Sequence, residues 1–206
     1  MKNKTIFIGD IHGCYKELKL LIKKLNLNKE DKVFFVGDYI NKGPKSYKVI
    51  KYLYKNREQF SGILGNHDLE FINNFNSKKL THSDKKLKNK LLEHPKVLKY
   101  FQNLPLYIDD NNFILIHGGL NPKKTLEKQT ALELTNIREI DGKPWYDFYK
   151  GKKKIIYGHW ALQGIHIREN TIGLDSGCCY GKYLSAYILE TGELIQQKAL
   201  KTYVEI

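Results

Sequence analysis

The sequence predicts an α/β protein: a first half built on a parallel sheet, then a β-rich second half, the two closing as one sandwich. Three observations predict it. From Ile6 to Leu64, short apolar runs alternate with stretches of helical spacing. Those runs are continuous rather than alternating, as in a sheet covered on both faces. From Ile155 onward the chain breaks into short strand-like runs separated by turn signals.

In order, Ile6-Phe7-Ile8 reads as a strand, and Leu18, Leu21, Ile22 and Leu25 share one helix face. Val33 to Val36 is the second strand, followed by Val49, Ile50 and Leu53 on the next helix, then Ile63-Leu64 as a third strand. Residues 77–104 differ. Leu87, Leu91, Val97, Leu98 and Phe101 keep helical spacing, while eight Lys face only Asp84 and Glu93 between Lys78 and Lys99. This stretch reads as a Lys-rich helical insertion on the outside of the sheet, with a solvated basic face. Ile155 to Tyr157, Gly164 to Ile167, Thr171 to Leu174, Tyr183 to Leu189 and Leu194 to Ala199 are the late strands, and Glu190 to Glu193 is a hairpin loop. Neither repeats nor a linker divides the chain, so a single domain over residues 1–206 is expected.

Composition narrows the class. At 41% hydrophobic and 28% charged the chain is an ordinary globular one, which excludes disorder. The longest apolar runs, such as Val33 to Val36 and Phe113 to Ile116, are far too short to span a bilayer. Met1-Lys2-Asn3-Lys4 is followed by no secretory apolar region, and three cysteines, two of them adjacent, read as reduced thiols in a cytoplasmic protein. The net charge of +13 is carried almost wholly by Lys, with Arg only at 57, 138 and 168. Lys scattered along the whole chain reads as a solvated surface, since nucleic-acid faces cluster charge and use arginine forks.

The residues that follow the apolar runs carry the chemistry. Gly9 leads into Asp10-Ile11-His12-Gly13, Gly37 into Asp38, Gly65 into Asn66-His67-Asp68, Ile116 into His117-Gly118-Gly119, and Gly158 into His159. One such strand end is commonplace. Five, on parallel neighbours, converge on the edge where open α/β sheets bind ligands. Mixed imidazole and carboxylate donors suit Mn, Fe, Co, Ni or Zn. Their number suggests two ions sharing one carboxylate, which clamp a phosphoryl group and generate hydroxide at neutral pH. His82, His94 and His166 stand apart from these positions, and Cys178, Cys179 and Trp160 read as core packing.

These segments, with Gly37-Asp38-Tyr39-Ile40-Asn41-Lys42-Gly43, resemble the calcineurin-like metallophosphoesterases of the phosphoprotein phosphatase family. The resemblance implies a metallophosphoesterase sandwich of two mixed β-sheets flanked by α-helices, with the active site at the C-terminal ends of the strands. It implies that Asp10, His12 and Asp38 hold one divalent ion, and that Asp38, Asn66, His117 and His159 hold a second, with manganese the expected metal. His67 matches the family's general acid, and Arg138 and Lys42 fall at phosphate-binding positions. Asn41, Asp68 and Asp175 are supporting candidates. Two departures stand out, since the family's second motif carries an acid at Asn41 and an Arg at Lys42. An amide cannot hold an imidazolium by charge, so His67 should hold its proton less firmly.

Gly158-His159-Trp160-Ala161, Leu174 to Gly181, and Gly43-Pro44 after a motif lacking the second acid are similar to the bacterial symmetrical diadenosine tetraphosphate hydrolases. That implies cleavage of a dinucleoside polyphosphate to ADP by in-line attack of metal-bound hydroxide. The chain is shorter than those hydrolases, so part of their substrate-covering region is expected to be reduced. The alternatives are a Ser/Thr protein phosphatase or broad phosphomonoesterase using the same metals on a phosphoprotein or small ester, and a nucleic-acid binder with a vestigial site. The complete set of ligand positions speaks against the last, and no membrane partner is expected.

Overall fold

A computed structural model of the chain describes residues 3–78 and 80–205. Met1 and Lys2, which begin the segment read for a leader, Lys79 in the Lys-rich stretch, and Ile206 lie outside the described residues. Strand β1 (Thr5–Ile8), helix α1 (Tyr15–Leu25), β2 (Lys32–Phe35), α2 (Ser46–Lys55) and β3 (Phe60–Gly62) make the first βαβαβ unit. Helices α3 (Asn66–Asn73), α4 (His82–Leu92) and α5 (Pro95–Gln102) follow. Next come β4 (Ile108–Asp109), β5 (Phe113–Leu115), α6 (Ala131–Asn136) and the small hairpin β6 (Glu139–Ile140) and β7 (Lys143–Pro144). The chain closes with β8 (Lys154–Tyr157), β9 (His166–Ile167), β10 (Thr171–Gly173), β11 (Tyr183–Ile188) and β12 (Leu194–Lys198).

Two five-stranded mixed sheets result, ordered β12-β11-β1-β2-β3 and β4-β5-β8-β10-β9. In the first, β1, β2 and β3 are parallel, with Ile8 opposite Phe35 and Phe35 opposite Gly62. In the second, β5, β8 and β10 are parallel, with Leu115 opposite Ile156 and Tyr157 opposite Gly173. These registers bring the six C-terminal strand ends to a common rim. The two-residue side-chain period splits each strand between layers. Ile6 and Ile8 of β1 pack under the helices, while Phe7 points between the sheets onto Val36, Phe113 and Ile172. The Phe7 and Phe113 rings meet edge to face, 4.7 Å apart, and bind one sheet to the other.

Most expected elements lie where the spacing put them. Leu18, Leu21 and Leu25 bury the inner face of α1, and Val49, Ile50 and Leu53 that of α2. The Lys-rich stretch forms two helices, because Pro95 starts α5 where it lacks an amide to offer. Thr81 caps α4 by accepting the Asp84 N–H at 3.2 Å. The third strand ends earlier than its apolar residues suggested: Ile63 N–H still donates to Phe35 O, but Leu64 N–H turns to Pro105 O. Residues 164–165 stay outside β9. The late strands divide between both sheets, since β11 pairs antiparallel with β1, and β12 with β11. Cys14, Cys178 and Cys179 are free, buried thiols. No helix of the described residues is long and apolar enough to cross a membrane.

Candidate metal centre

The rim gathers the side chains that follow the parallel strands. Asp10 and His12 lie beyond β1, Asp38 beyond β2, Asn66 and His67 at the start of α3, His117 beyond β5, His159 beyond β8 and Asp175 beyond β10. Asp10, His12, Asp38, His117, His159 and Asp175 are all buried. The backbone there is bent into conformations that side chains rarely adopt. His12, Asp38 and His159 have φ of 45°, 53° and 66°, and Asn41 and Lys42 have 66° and 58°. Such residues persist only where the surroundings hold them. Here Ile11 and His12 N–H both donate to Asp38 O, and Gly43 N–H donates to His12 O. Two glycines make room for carboxylates. A Cβ at Gly65 would lie 2.1 Å from Asp38 Oδ1, and one at Gly158 would lie 2.0 Å from Asp10 Oδ1.

Asp38 sits at the middle. Its Oδ1 accepts His67 N–H at 3.0 Å, and its Oδ2 lies 3.4 Å from His12 Nε2 and 3.5 Å from His117 Nε2. The outer ring nitrogens are anchored on backbone: His12 Nδ1 on Ile40 O at 2.9 Å, His117 Nδ1 on Val36 O at 2.8 Å and His159 Nε2 on Asn136 O at 3.2 Å. If each anchored nitrogen carries the proton, the inward nitrogen is a free donor, as metal ligation requires. Asn66 Oδ1 stands 3.0 Å from His117 Nε2 and 2.9 Å from His159 Nδ1. The Asp10 carboxylate accepts His159 N–H at 3.1 Å, joining the two sheets across the site.

The electrostatics are those of carboxylates and imidazoles forced together out of water. Burial, with Asp175 beside it, raises Asp10 well above the usual carboxylate range. Burial opposes the charge on Asp38, but the imidazoles of His117 and His12 hold it well below that range. Burial likewise disfavours a charged His117, yet Asp38 and Asp10 push it up to about 10. Burial lowers His12 to about 3, and burial together with His117 and Arg138 lowers His159 to about 3. A buried set of three carboxylates needs cationic compensation, and borderline divalent ions match its nitrogen and oxygen donors. Among the described residues, two donor groups meet within 4.8 Å: His12, Asp38 and His67, and Asp10, Asp38 and His117. Asp38 belongs to both, so the residues present fit a pair of ions sharing one carboxylate.

These groups differ from the sequence allocation: Asp10 stands with His117, and His67, expected as the acid, joins a donor group. His12 stands with His67, whose ring centroid is 5.1 Å away, rather than with Asp10. The reason is local: Ile40 O fixes the His12 ring while Lys42 Nζ approaches His12 Nε2 at 3.0 Å. The supporting candidates separate. Asn41 Nδ2 lies 3.4 Å from His67 Nδ1, so the amide occupies the position of a partner to that ring. Asp68 does not replace the missing acid. It accepts Tyr39 N–H and Gly65 N–H, capping α3 and tying it to the loop after β2. Asp175 accepts Gly177 N–H at 3.1 Å and lies close enough to Asp10 to raise its pKa.

A cavity of about 260 Å³ opens over the rim, and Lys42, Arg138 and His67 line it. Arg138 Nη2 donates to His159 O at 3.0 Å, which aims the guanidinium at the site. Trp160, expected in the core, also lines the cavity, as do Tyr180, Val204 and Glu205. The tail reaches there because buried Glu17 Oε1 accepts Leu200 N–H at 3.1 Å and the Tyr203 hydroxyl at 2.7 Å. No local pattern announces that tether. Helix α6, which the apolar spacing did not reveal, does carry a readable signal. Thr130 and Glu133 form a reciprocal capping box. That helix supplies Asn136 O to His159.

Residues 4–192 match the family of calcineurin-like phosphoesterases, and the chain belongs to that family. Among its relatives, the symmetrical bis(5'-nucleosyl)-tetraphosphatase of Cellvibrio japonicus (strain Ueda107) is 29% identical over 265 aligned positions, covering 93% of this chain and 97% of that protein. Those positions outnumber the residues here, so that relative carries segments this chain lacks. An asymmetrical bis(5'-nucleosyl)-tetraphosphatase of Anoxybacillus flavithermus (strain DSM 21510 / WK1) is 29% identical over 234 positions, covering 96% and 95%. A crystal structure described, provisionally, as a diadenosine tetraphosphatase superposes with a TM-score of 0.83 at 29% identity, covering 96% of this chain and 94% of that one.

Proposed function

We propose that this chain is a single-domain, cytoplasmic, dinuclear-metal phosphohydrolase that cleaves diadenosine tetraphosphate symmetrically to ADP. The observation that carries the reading is one buried carboxylate, Asp38, shared by two groups of metal-capable side chains beneath a cavity flanked by Lys42, Arg138 and His67. The named relatives support the substrate. Although His12 clusters with His67 and Asp10 with His117, Asp38 reaches all four, and on this reading Asp10, His12 and Asp38 would hold one ion and Asp38, Asn66, His117 and His159 the other, leaving His67 free as the acid, with manganese the first choice among the borderline metals. When bound, the pair supplies Lewis-acid stabilisation of the phosphoryl oxygens and a nucleophile at neutral pH.

The protein's own residues do the rest. Arg138, held by His159 O, offers a guanidinium fork to the equatorial oxygens, and Lys42 adds a point charge. Both stand in place before the charge develops, which is where electrostatic stabilisation is most effective. The Asn41 amide faces His67 Nδ1 and directs its Nε2 proton toward the departing bridge oxygen. As the bond from the attacking oxygen to phosphorus forms, the bond to the bridge oxygen breaks, and that oxygen takes the proton from His67.

Chromatography of the products of diadenosine tetraphosphate, with Mn, Co and Mg compared, tests the reading. ADP as the only nucleotide product is expected. AMP plus ATP refutes the symmetrical assignment and places the activity with that of the asymmetrical relative. Turnover of nitrophenyl phosphate or a phosphopeptide without the dinucleotide refutes the substrate.

A further inference from the structure

The largest groove near the rim is not the metal cavity. It lies between the loop and helix start at residues 41–48 and the side of α4 that carries Ser83, Lys86, Leu87 and Lys90, with a volume of about 560 Å³. Its walls carry Lys45 and Lys48 on one side and Lys86 and Lys90 on the other, over Pro44, Tyr47 and Leu87, and no lining residue is acidic. Lys90 is paired with Glu93 at 2.5 Å. Among the described residues, Lys45, Lys48 and Lys86 have no carboxylate within ion-pair reach, so the groove keeps an uncompensated positive charge. Lys42 lines both this groove and the metal cavity, and the two adjoin there.

We infer that this groove is a subsite of the substrate, binding the oligophosphate chain where it extends beyond the metal cavity. The inference rests on the phosphohydrolase reading above. The path comes from Lys42, the lysine at the junction of the two cavities. An oligophosphate chain running out of the metal cavity passes Lys42 onto Lys45, Lys48 and Lys86, where a chain of anionic oxygens meets ammonium groups from both walls. The apolar floor of Pro44, Tyr47 and Leu87 suits the less polar nucleoside beyond. The same Lys-rich helix that reads as solvated surface in sequence thus acquires a ligand. A substrate without an oligophosphate chain has nothing to place there.

The test uses the double variant K48A/K86A, which removes one exposed ammonium from each wall and touches no metal-site residue. Hydrolysis of nitrophenyl phosphate and of diadenosine tetraphosphate is measured at fixed free manganese. Inhibition of nitrophenyl phosphate hydrolysis by inorganic tripolyphosphate is compared with inhibition by orthophosphate. For the variant, kcat/KM for nitrophenyl phosphate is expected to stay within about twofold, and KM for the dinucleotide to rise about tenfold with kcat little changed. The advantage of tripolyphosphate over orthophosphate as an inhibitor should shrink by a similar factor. An unchanged tripolyphosphate advantage overturns the groove assignment. Should the native protein turn over nitrophenyl phosphate but not the dinucleotide, the substrate reading fails by itself, and the tripolyphosphate comparison still decides the groove. K48E/K86E, which reverses both charges, should enlarge the loss, and an effect no larger than that of the alanines also counts against it.

Discussion

Replacing Asp38 with Asn removes a single charge while keeping the shape of the side chain. In the native protein this carboxylate is 2% exposed, lies 3.4 Å and 3.5 Å from the His12 and His117 imidazoles, and belongs to both metal-capable groups. An amide keeps one oxygen for the His67 N–H but supplies a neutral, weaker ligand at the position where two cations need a shared anion. Loss of the Lewis-acid clamp is worth several kcal/mol of transition-state stabilisation. A floor of about 2.7 kcal/mol corresponds to a 100-fold loss in kcat. The assay has two parts. Metal per chain is read by mass spectrometry after gel filtration in manganese, and kcat is read with diadenosine tetraphosphate and with nitrophenyl phosphate. The expected result is a fall below two ions per chain together with the rate loss on both substrates. Two retained ions and a rate within tenfold of the native value would refute the shared-carboxylate site.

Three further outcomes follow from particular contacts. Asn41→Asp places a carboxylate at the 3.4 Å contact with His67 Nδ1 and should raise the His67 pKa, now lowered chiefly by burial, by about one unit or more in an NMR titration. A value that does not move would place the ring elsewhere. Glu17→Ala leaves Leu200 N–H and the Tyr203 hydroxyl without their acceptor and should cost about 1–3 kcal/mol in urea unfolding. It should also speed hydrogen exchange over residues 200–205, and protection as in the native chain would mean that the tail is held by other contacts. Gly158→Ala drives a methyl to 2.0 Å from Asp10 Oδ1, so either that carboxylate or the strand end must shift. Overpacking of this kind costs about 1–3 kcal/mol, and manganese affinity should fall with it, whereas native affinity would show the rim to be more yielding than its packing indicates.

The site was legible to the extent that its residues follow strands. The run of apolar residues, glycine, then Asp, Asn or His recurs at 10, 38, 66 and 159, and the parallel registers bring those positions together. His117 follows its strand without an intervening glycine and reaches the same rim. Thr171 to Leu174 followed by Asp175 obeys the same rule, and β10 adds it as the sixth rim position. Trp160 packs against the core as its pattern suggested and also lines the cavity, because an indole next to a strand end can touch both. Asp68 was open for a similar reason. Its carboxylate turns onto the amides of Tyr39 and Gly65, a choice made by the backbone of another segment.

By itself, the sequence determined the helix faces, the strand ends and the donor types, because apolar period and residue chemistry are local properties. Only the tertiary structure decided that β11 joins the first sheet beside β1, that Asp10 meets the His159 amide 149 residues away, and that Lys42 stands between two cavities. It also decided the left-handed backbone at His12, Asp38 and His159, a conformation uncommon outside glycine even though Asp and His enter it more readily than most residues. The division has one cause. Pairing partner, side-chain direction and backbone strain are settled by groups distant along the chain, and a local pattern carries no record of which of those groups will arrive.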